Sequence, residues 1–304
     1  MRIFCTGASG YIGGSVGVAL VAAGHVVSGL VRSEASAVAV AAVGIAPVRG
    51  TLDDLDMLRA EATRADAVLN AASADHEPSA LAMLEALAGT GKAFVHTSCS
   101  SIVGSAAEGR AVDDVFDEAT PWTPSPGRAA RVALNRRILG YAQKNVRAVI
   151  VCPSLIYGPG TGPGKESIQV PWLIALARKS GIARHYGPGE NIWSNVHIAD
   201  LVDLYRLALE RAPSGAFYFA ENGECSMKEV CRAINRRLGI PGEPVTLSRE
   251  EALREWGEGA TDNTMGSNSR VRAVRARNEL DWRPHRPSLV DEIMTGSHAA
   301  SLVC

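Results

Sequence analysis

Apolar residues recur along the first half of the chain as short runs separated by segments of helical spacing. Residues 2–5 form a compact apolar strand, 15–23 a small-residue helix closed by Gly24, and 25–31 a valine-rich strand. The alternation continues with a helix over 35–43, a strand over 46–49, a helix over 54–65 and a buried strand over 67–70. A helix over 79–87 and a strand over 93–97 follow, then a polar loop, a long helix over 129–144 and a strand over 147–151. Near-continuous apolar strands alternating with helices predict an α/β fold: a doubly wound parallel sheet covered on both faces.

The second half is less regular. The run Gly158-Pro159-Gly160-Thr161-Gly162-Pro163-Gly164 breaks any element and marks the exit from the main sheet. Helices are expected over 170–179, 198–210, 227–238 and 250–255, and the small polar residues beyond Thr295 are expected to fray. The division expected from this is a main domain over 1–165, with a returning segment near 190–220, and a smaller C-terminal α/β lobe over 166–304.

Composition changes this picture little. Of 304 residues, 46 % are hydrophobic and 21 % charged, enough for a sizeable core, and a net charge of −1 offers no general attraction to nucleic acid or an anionic membrane. The six cysteines are scattered, with no C-x-x-C pair, so no metal site is expected. Met1-Arg2 runs straight into Ile3-Phe4-Cys5 without a charged-then-apolar presequence, and no stretch reads as a membrane span; a cytoplasmic protein is expected.

The first strand ends in Thr6-Gly7-Ala8-Ser9-Gly10-Tyr11-Ile12-Gly13-Gly14 and a helix follows. Gly7, Gly10 and Gly13 have the spacing that permits a tight turn, a close approach of backbone to a pyrophosphate, and close packing of helix on strand. The free N–H groups of the helix start then face the phosphates. In this context the pattern predicts a Rossmann-type dinucleotide site. An NAD-preferring site usually carries an acid at the end of the second strand; here Val31 stands there, followed by Arg32 and Ser33. A guanidinium beside a hydroxyl suits a 2′-phosphate, so NADP(H) is expected over NAD(H). After the third strand, Leu52 is placed to cover the adenine, and Asp53 either to bond its amino group or, like Asp54, to cap the next helix.

The chain resembles the extended short-chain dehydrogenases/reductases of the NAD-dependent epimerase/dehydratase type. The matching pieces are residues 6–13, Asn70-Ala71-Ala72, 96–101, 153–160, 195–201 and 280–284. The resemblance implies a Rossmann domain with a small C-terminal lobe, a small-molecule substrate between them, and a dinucleotide site bordered by Asn70, Ala71, Ala72, Pro153 and Ile156. It also implies a homodimer through two long helices, and in sugar-nucleotide members a late arginine at the substrate phosphates, here Arg270 or Arg272.

That family usually carries Tyr-x-x-x-Lys on the helix after the fifth strand, the tyrosine passing a proton and the lysine lowering its pKa and holding the ribose. None of the six tyrosines here is followed by lysine at that spacing; Gly127 falls at the tyrosine position and Arg131 at the lysine position. Arg131 retains the charge to hold a ribose or phosphate but does not give up a proton. Cys99 stands where the family has a hydroxyl, flanked by Ser98 and Ser100. The candidate proton donors are therefore Ser98, Ser100, Tyr157 or a bound water. His197 and Asp200 read as structural residues at a helix start. The expectation is an NADP(H)-dependent oxidoreductase on a small carbonyl or hydroxyl compound, with a dinucleotide-binding sensor and a non-redox isomerase or lyase as alternatives.

Overall fold

The computed structural model describes residues 1–296; the expected fraying of the last residues falls almost wholly outside them. The first half runs β1 (Arg2–Thr6), α1 (Tyr11–Ala22), β2 (Val26–Val31), α2 (Glu34–Ala41), β3 (Ala46–Arg49), α3 (Leu55–Arg64), β4 (Ala67–Asn70), α4 (Glu77–Leu87) and β5 (Ala93–Thr97). A two-residue strand β6 (Ser105–Ala106), α5 (Ala129–Gly140), β7 (Arg147–Pro153) and β8 (Leu155–Tyr157) follow. The second half comprises α6 (Gln169–Ser180), β9 (Arg184–Tyr186), β10 (Ile192–His197), α7 (Ile198–Arg211), β11 (Ala216–Ala220), β12 (Glu224–Ser226), α8 (Met227–Leu238) and β13 (Val245–Leu247). It ends with α9 (Arg249–Ala260), β14 (Ser267–Asn268), α10 (Val274–Glu279) and α11 (Leu289–Thr295).

Seven parallel strands form the main sheet in the order β11-β7-β5-β4-β1-β2-β3. The chain leaves β1 in both directions from the centre, so the strand order reverses there and opens a crevice at the carboxyl ends of β1 and β4. α1 packs against α7, and α3 against α4, which covers the sheet with helices. Its core is apolar and continuous, from Phe4, Val68 and Phe94 to Val149 and Phe219, all fully buried. The chain returns to this core late: Val271, Ala276, Leu280 and Trp282 belong to it.

A smaller three-stranded sheet, β12-β10-β8, carries a second core that includes Leu155, Trp193, Leu173 and Ile234. Asp200 ties the late segment down. Its backbone carbonyl accepts the indole N–H of Trp282 (2.8 Å), and its buried carboxylate accepts the amides of His285 (3.1 Å) and Arg286 (3.0 Å).

Three expected helices differ by four or more residues in extent; the one expected over 250–255 runs as α9 from 249 to 260, with a break in helical backbone at Gly257. α1 begins at Tyr11 rather than 15, because extended backbone at Gly10 starts the helix inside the glycine loop. The helix expected to reach 144 stops at Gly140; a tighter turn over Tyr141–Lys144 follows and Asn145 adopts a left-handed conformation that reverses the chain into β7. No helix among the described residues is long and apolar enough to cross a membrane.

Candidate functional site

The strand register sets up the site. Thr6 pairs with Asn70 and Asn70 with His96 across the carboxyl ends of β1, β4 and β5. Their side chains form one directed chain. Thr6 donates its hydroxyl to Asn70 Oδ1 (2.7 Å) and accepts the amides of Ala71 and Ala72 (3.2 Å each). Asn70 Nδ2 lies 3.0 Å from His96 Nδ1, and an amide N–H requires an acceptor, so Nδ1 is unprotonated. Burial pushes the His96 pKa down to about 4, so the ring is neutral at physiological pH.

In front of this chain lies the glycine loop. Gly7 has φ +76°, and a Cβ there would stand 2.7 Å from the Ala71 carbonyl oxygen; a Cβ on Gly13 would overlap the Gly7 carbonyl. The loop is thus a bare backbone cradle that only glycine fits, opening onto the start of α1, and it suits a pyrophosphate.

A cavity of about 1070 Å³ runs along this edge. That exceeds the few hundred to about 1,000 Å³ of ordinary ligand pockets and leaves room for a dinucleotide beside a small substrate. Gly7, Ser9, Gly10, Tyr11, Ile12 and Gly13 form its floor. Arg32, Ser33, Leu52 and Asp53 line one end. Ala71, Ala72, Ser98, Cys99, Pro153 and Ile156 also line it.

Other expected site residues lie elsewhere. Asn70 is buried behind the wall, in the chain just described. Ser100 is fully buried, its hydroxyl paired with that of Ser269 (2.8 Å). Tyr157 is buried among the second core and donates its hydroxyl to the Pro287 carbonyl (2.7 Å), its ring set edge-on to His197. Burial raises its pKa, so that proton is held tightly. Arg131 is clamped by Asp75 through two hydrogen bonds (2.7 and 2.5 Å), and these, with its charge, hold the Asp75 carboxyl below the usual range. Gly127 sits in an exposed turn before α5, not on the helix. Arg270 and Arg272 share Glu224 (2.7 and 3.0 Å), whose pKa they depress to about 2, the Arg270 hydrogen bond contributing most. Asp54 occupies the N-cap position of α3 as expected, but its side chain makes no cap bond and turns back onto the Thr51 amide (2.6 Å), while Asp53 faces His76 Nε2 (3.2 Å). His197 accepts the Ala199 amide at the start of α7 (3.1 Å).

Several residues in or just behind the cavity lining escape the sequence reading. Ser36 donates its amide to the Ser33 hydroxyl (3.2 Å) and stands beside Arg32 on the cavity wall. His76 precedes Glu77-Pro78, a helix-start signal, and lines the cavity beside Asp53. Asn135, one turn beyond Arg131, donates to the Ser98 hydroxyl (2.9 Å) and so orients it. Glu166 to Gln169 also line the cavity and carry no motif.

A second glycine-rich segment lies over the first. Tyr11 donates its hydroxyl to the Gly158 carbonyl (2.6 Å), and the Thr161 amide donates to Ser15 Oγ (3.2 Å). Gly162 approaches the Gly14 backbone so closely that a Cβ would overlap it, and one on Gly164 would stand 2.6 Å from the Tyr11 nitrogen.

The family model for the NAD-dependent epimerase/dehydratase family matches residues 3–218, and the chain belongs to that family of enzymes. It is an extended short-chain dehydrogenase/reductase of the oxidoreductase and epimerase type, built around a nicotinamide dinucleotide site. Among its relatives is the oxidase ucsJ of an Acremonium species, 33 % identical and covering 96 % of this chain and 95 % of that protein. A ketoreductase of Stigmatella aurantiaca, which acts on 4-hydroxy-2-methyl-3-oxo-4-farnesyl-3,4-dihydroquinoline-1-oxide, is 30 % identical over 73 % of this chain and 69 % of its own. The dTDP-glucose 4,6-dehydratase of Bacillus anthracis, solved with NAD, shares the fold with a TM-score of 0.78 at 20 % identity, over 99 % of this chain and 96 % of that one.

Proposed function

We propose that the chain is an NADP(H)-dependent reductase of a small carbonyl compound, or in reverse a dehydrogenase of the matching alcohol. The observation that carries this reading is the composition of the two ends of one cavity. At one end the acid position is taken by buried Val31, with Arg32, Ser33 and Ser36 around it; among the described residues the carboxylates lining the cavity are Asp53, itself engaged by His76, and Glu166. At the other stands Ser98, its oxygen already accepting from Asn135. Residues 1–165 supply the dinucleotide cradle, and most later residues the substrate side.

The bound nicotinamide supplies the hydride. Gly7 to Gly13 hold the pyrophosphate with backbone N–H groups, and Arg32 with Ser33 meets the 2′-phosphate. Ala71, Ala72, Pro153 and Ile156 form walls beside the dinucleotide, and Leu52 covers the adenine. Ser98 donates a hydrogen bond to the substrate oxygen and keeps its own proton; the proton that completes the reduction comes from water. Tyr157 and Ser100, with hydroxyls spent inside the protein, take no part, and Arg131 acts as a strut for the loop at Asp75.

Binding of NADPH and NADH by calorimetry, with and without Arg32→Ala, tests the cofactor assignment. The wild type is expected to favour NADPH; the variant is expected to lose about tenfold or more toward NADPH and little toward NADH, the value of one charge-assisted contact at an exposed site. Equal affinity of the wild type for both cofactors refutes it. Loss of absorbance at the reduced-nicotinamide band over a panel of aldehydes and ketones tests turnover; tight NADPH binding with silence across the panel overturns the reductase reading.

A further inference from the structure

Ile168, which lines the cavity, and Trp172, one helical turn further on, make an apolar step at the start of α6. Ile168 is 56 % and Trp172 40 % exposed, among the few large apolar side chains so open to solvent. They stand four residues apart where α6 begins, the Trp172 amide donating to the Ile168 carbonyl (3.1 Å), so both side chains rise on one face of the helix. Ile168 lines the cavity itself, beside Ser167 and Gln169. The Ser167 hydroxyl oxygen is buried there with no hydrogen-bond partner among the described residues.

Three occupants compete for such a step. A nucleoside diphosphate needs cations at its phosphates, and the two late arginines that the family resemblance points to, Arg270 and Arg272, are both committed to Glu224. A second copy of the chain needs roughly 800 Å² from each partner, far more than two side chains offer. A small molecule that already enters the cavity needs only a surface for its apolar part, and Ile168 is continuous with that cavity.

We propose that Ile168 and Trp172 hold the apolar portion of the substrate, an alkyl chain or ring carried by the carbonyl group that reaches Ser98. This deepens the reductase reading and rests on it. The substrate class is then an apolar aldehyde or ketone rather than a sugar nucleotide, and Ser167 is left to bond any polar group next to the chain.

The test uses a homologous series of unbranched aldehydes, butanal to decanal, with NADPH, and equilibrium binding of the matching alcohols by calorimetry, with and without NADP. Each methylene that reaches the step is expected to raise kcat/KM and alcohol affinity about threefold. Trp172→Ala and Ile168→Ser are expected to flatten that dependence; Trp172→Leu is expected to restore most of the slope. A flat series in the wild type, an undiminished slope in both variants, or UDP-glucose bound more tightly than decanol overturns the proposal. So does a dimer that forms in sedimentation and is abolished by Trp172→Ala. If the alcohols bind with the expected slope but no aldehyde is reduced, the apolar subsite stands and the reductase reading alone fails.

Discussion

Acidification should weaken this protein through His96. The ring is buried at the end of β5, with Nδ1 accepting from Asn70. The nearby charges, Asp75 and Arg131, act in opposite directions and are paired with each other, so burial decides the shift from 6.5 to about 4. A histidine whose folded pKa is depressed binds fewer protons folded than unfolded between those values. Stability is therefore complete above about pH 6.5 and falls as pH drops toward 4. At about 1.4 kcal/mol per unit, 2.5 units give about 2 kcal/mol lost by pH 5 and about 3 kcal/mol by pH 4. Urea unfolding at pH 7.5, 6.5, 5.5 and 5.0 measures it, with His96→Gln as the reference that lacks the titrating ring. The variant is expected to start less stable and to lose about 2 kcal/mol less over that range. Parallel curves for the two proteins, or a wild type that loses under 1 kcal/mol between pH 6.5 and 5, would refute the argument. The consequence reaches the site: a protonated Nδ1 cannot accept from Asn70, and Asn70 in turn orients the Thr6 hydroxyl that holds the Ala71 and Ala72 amides.

Gly13→Ala should lower stability by about 1–3 kcal/mol, because its Cβ meets rigid backbone at Gly7; thermal melting and NADPH calorimetry should both report it, and an unchanged affinity would show that the loop is not the cradle. Tyr157→Phe removes one buried hydrogen bond and should cost about 1 kcal/mol with turnover unchanged; a hundredfold fall in kcat would make that hydroxyl catalytic after all. Ser98→Ala should instead lower kcat about a hundredfold or more with NADPH affinity preserved. Glu224→Gln should destabilise by about 1–3 kcal/mol at neutral pH by unpairing Arg270 and Arg272. The wild type's contribution from this group is present above about pH 4.5 and lost as pH falls toward 2, so an acid titration of the variant should be flatter there.

What was legible in the sequence followed from local pattern. The glycine spacing and the apolar strands around it announced the loop, because only glycine tolerates those backbone approaches. Val31 and Arg32 stood out because the position of the missing acid is set by strand length. Arg131 and the late arginines were another matter. Their charges looked available, and nothing near them in sequence shows that Asp75 and Glu224 arrive from 56 and 46 residues away to neutralise them. Three-residue strands such as β8, β9 and β12 are too short for period-two alternation to register. The stretch over 166–169 has no chemical signature at all; only folding brings it to the cavity that the glycine loop also lines.

The second glycine run, laid backbone to backbone on the first, makes two segments some 150 residues apart a single unit of inheritance. A side chain gained at Gly162 or Gly14 has no room unless the other segment withdraws, so the two should change together or not at all among descendants. The same contact limits what can be cut from this protein: a fragment ending before residue 158 would keep every strand that carries the loop and still lose the surface against which the loop is moulded.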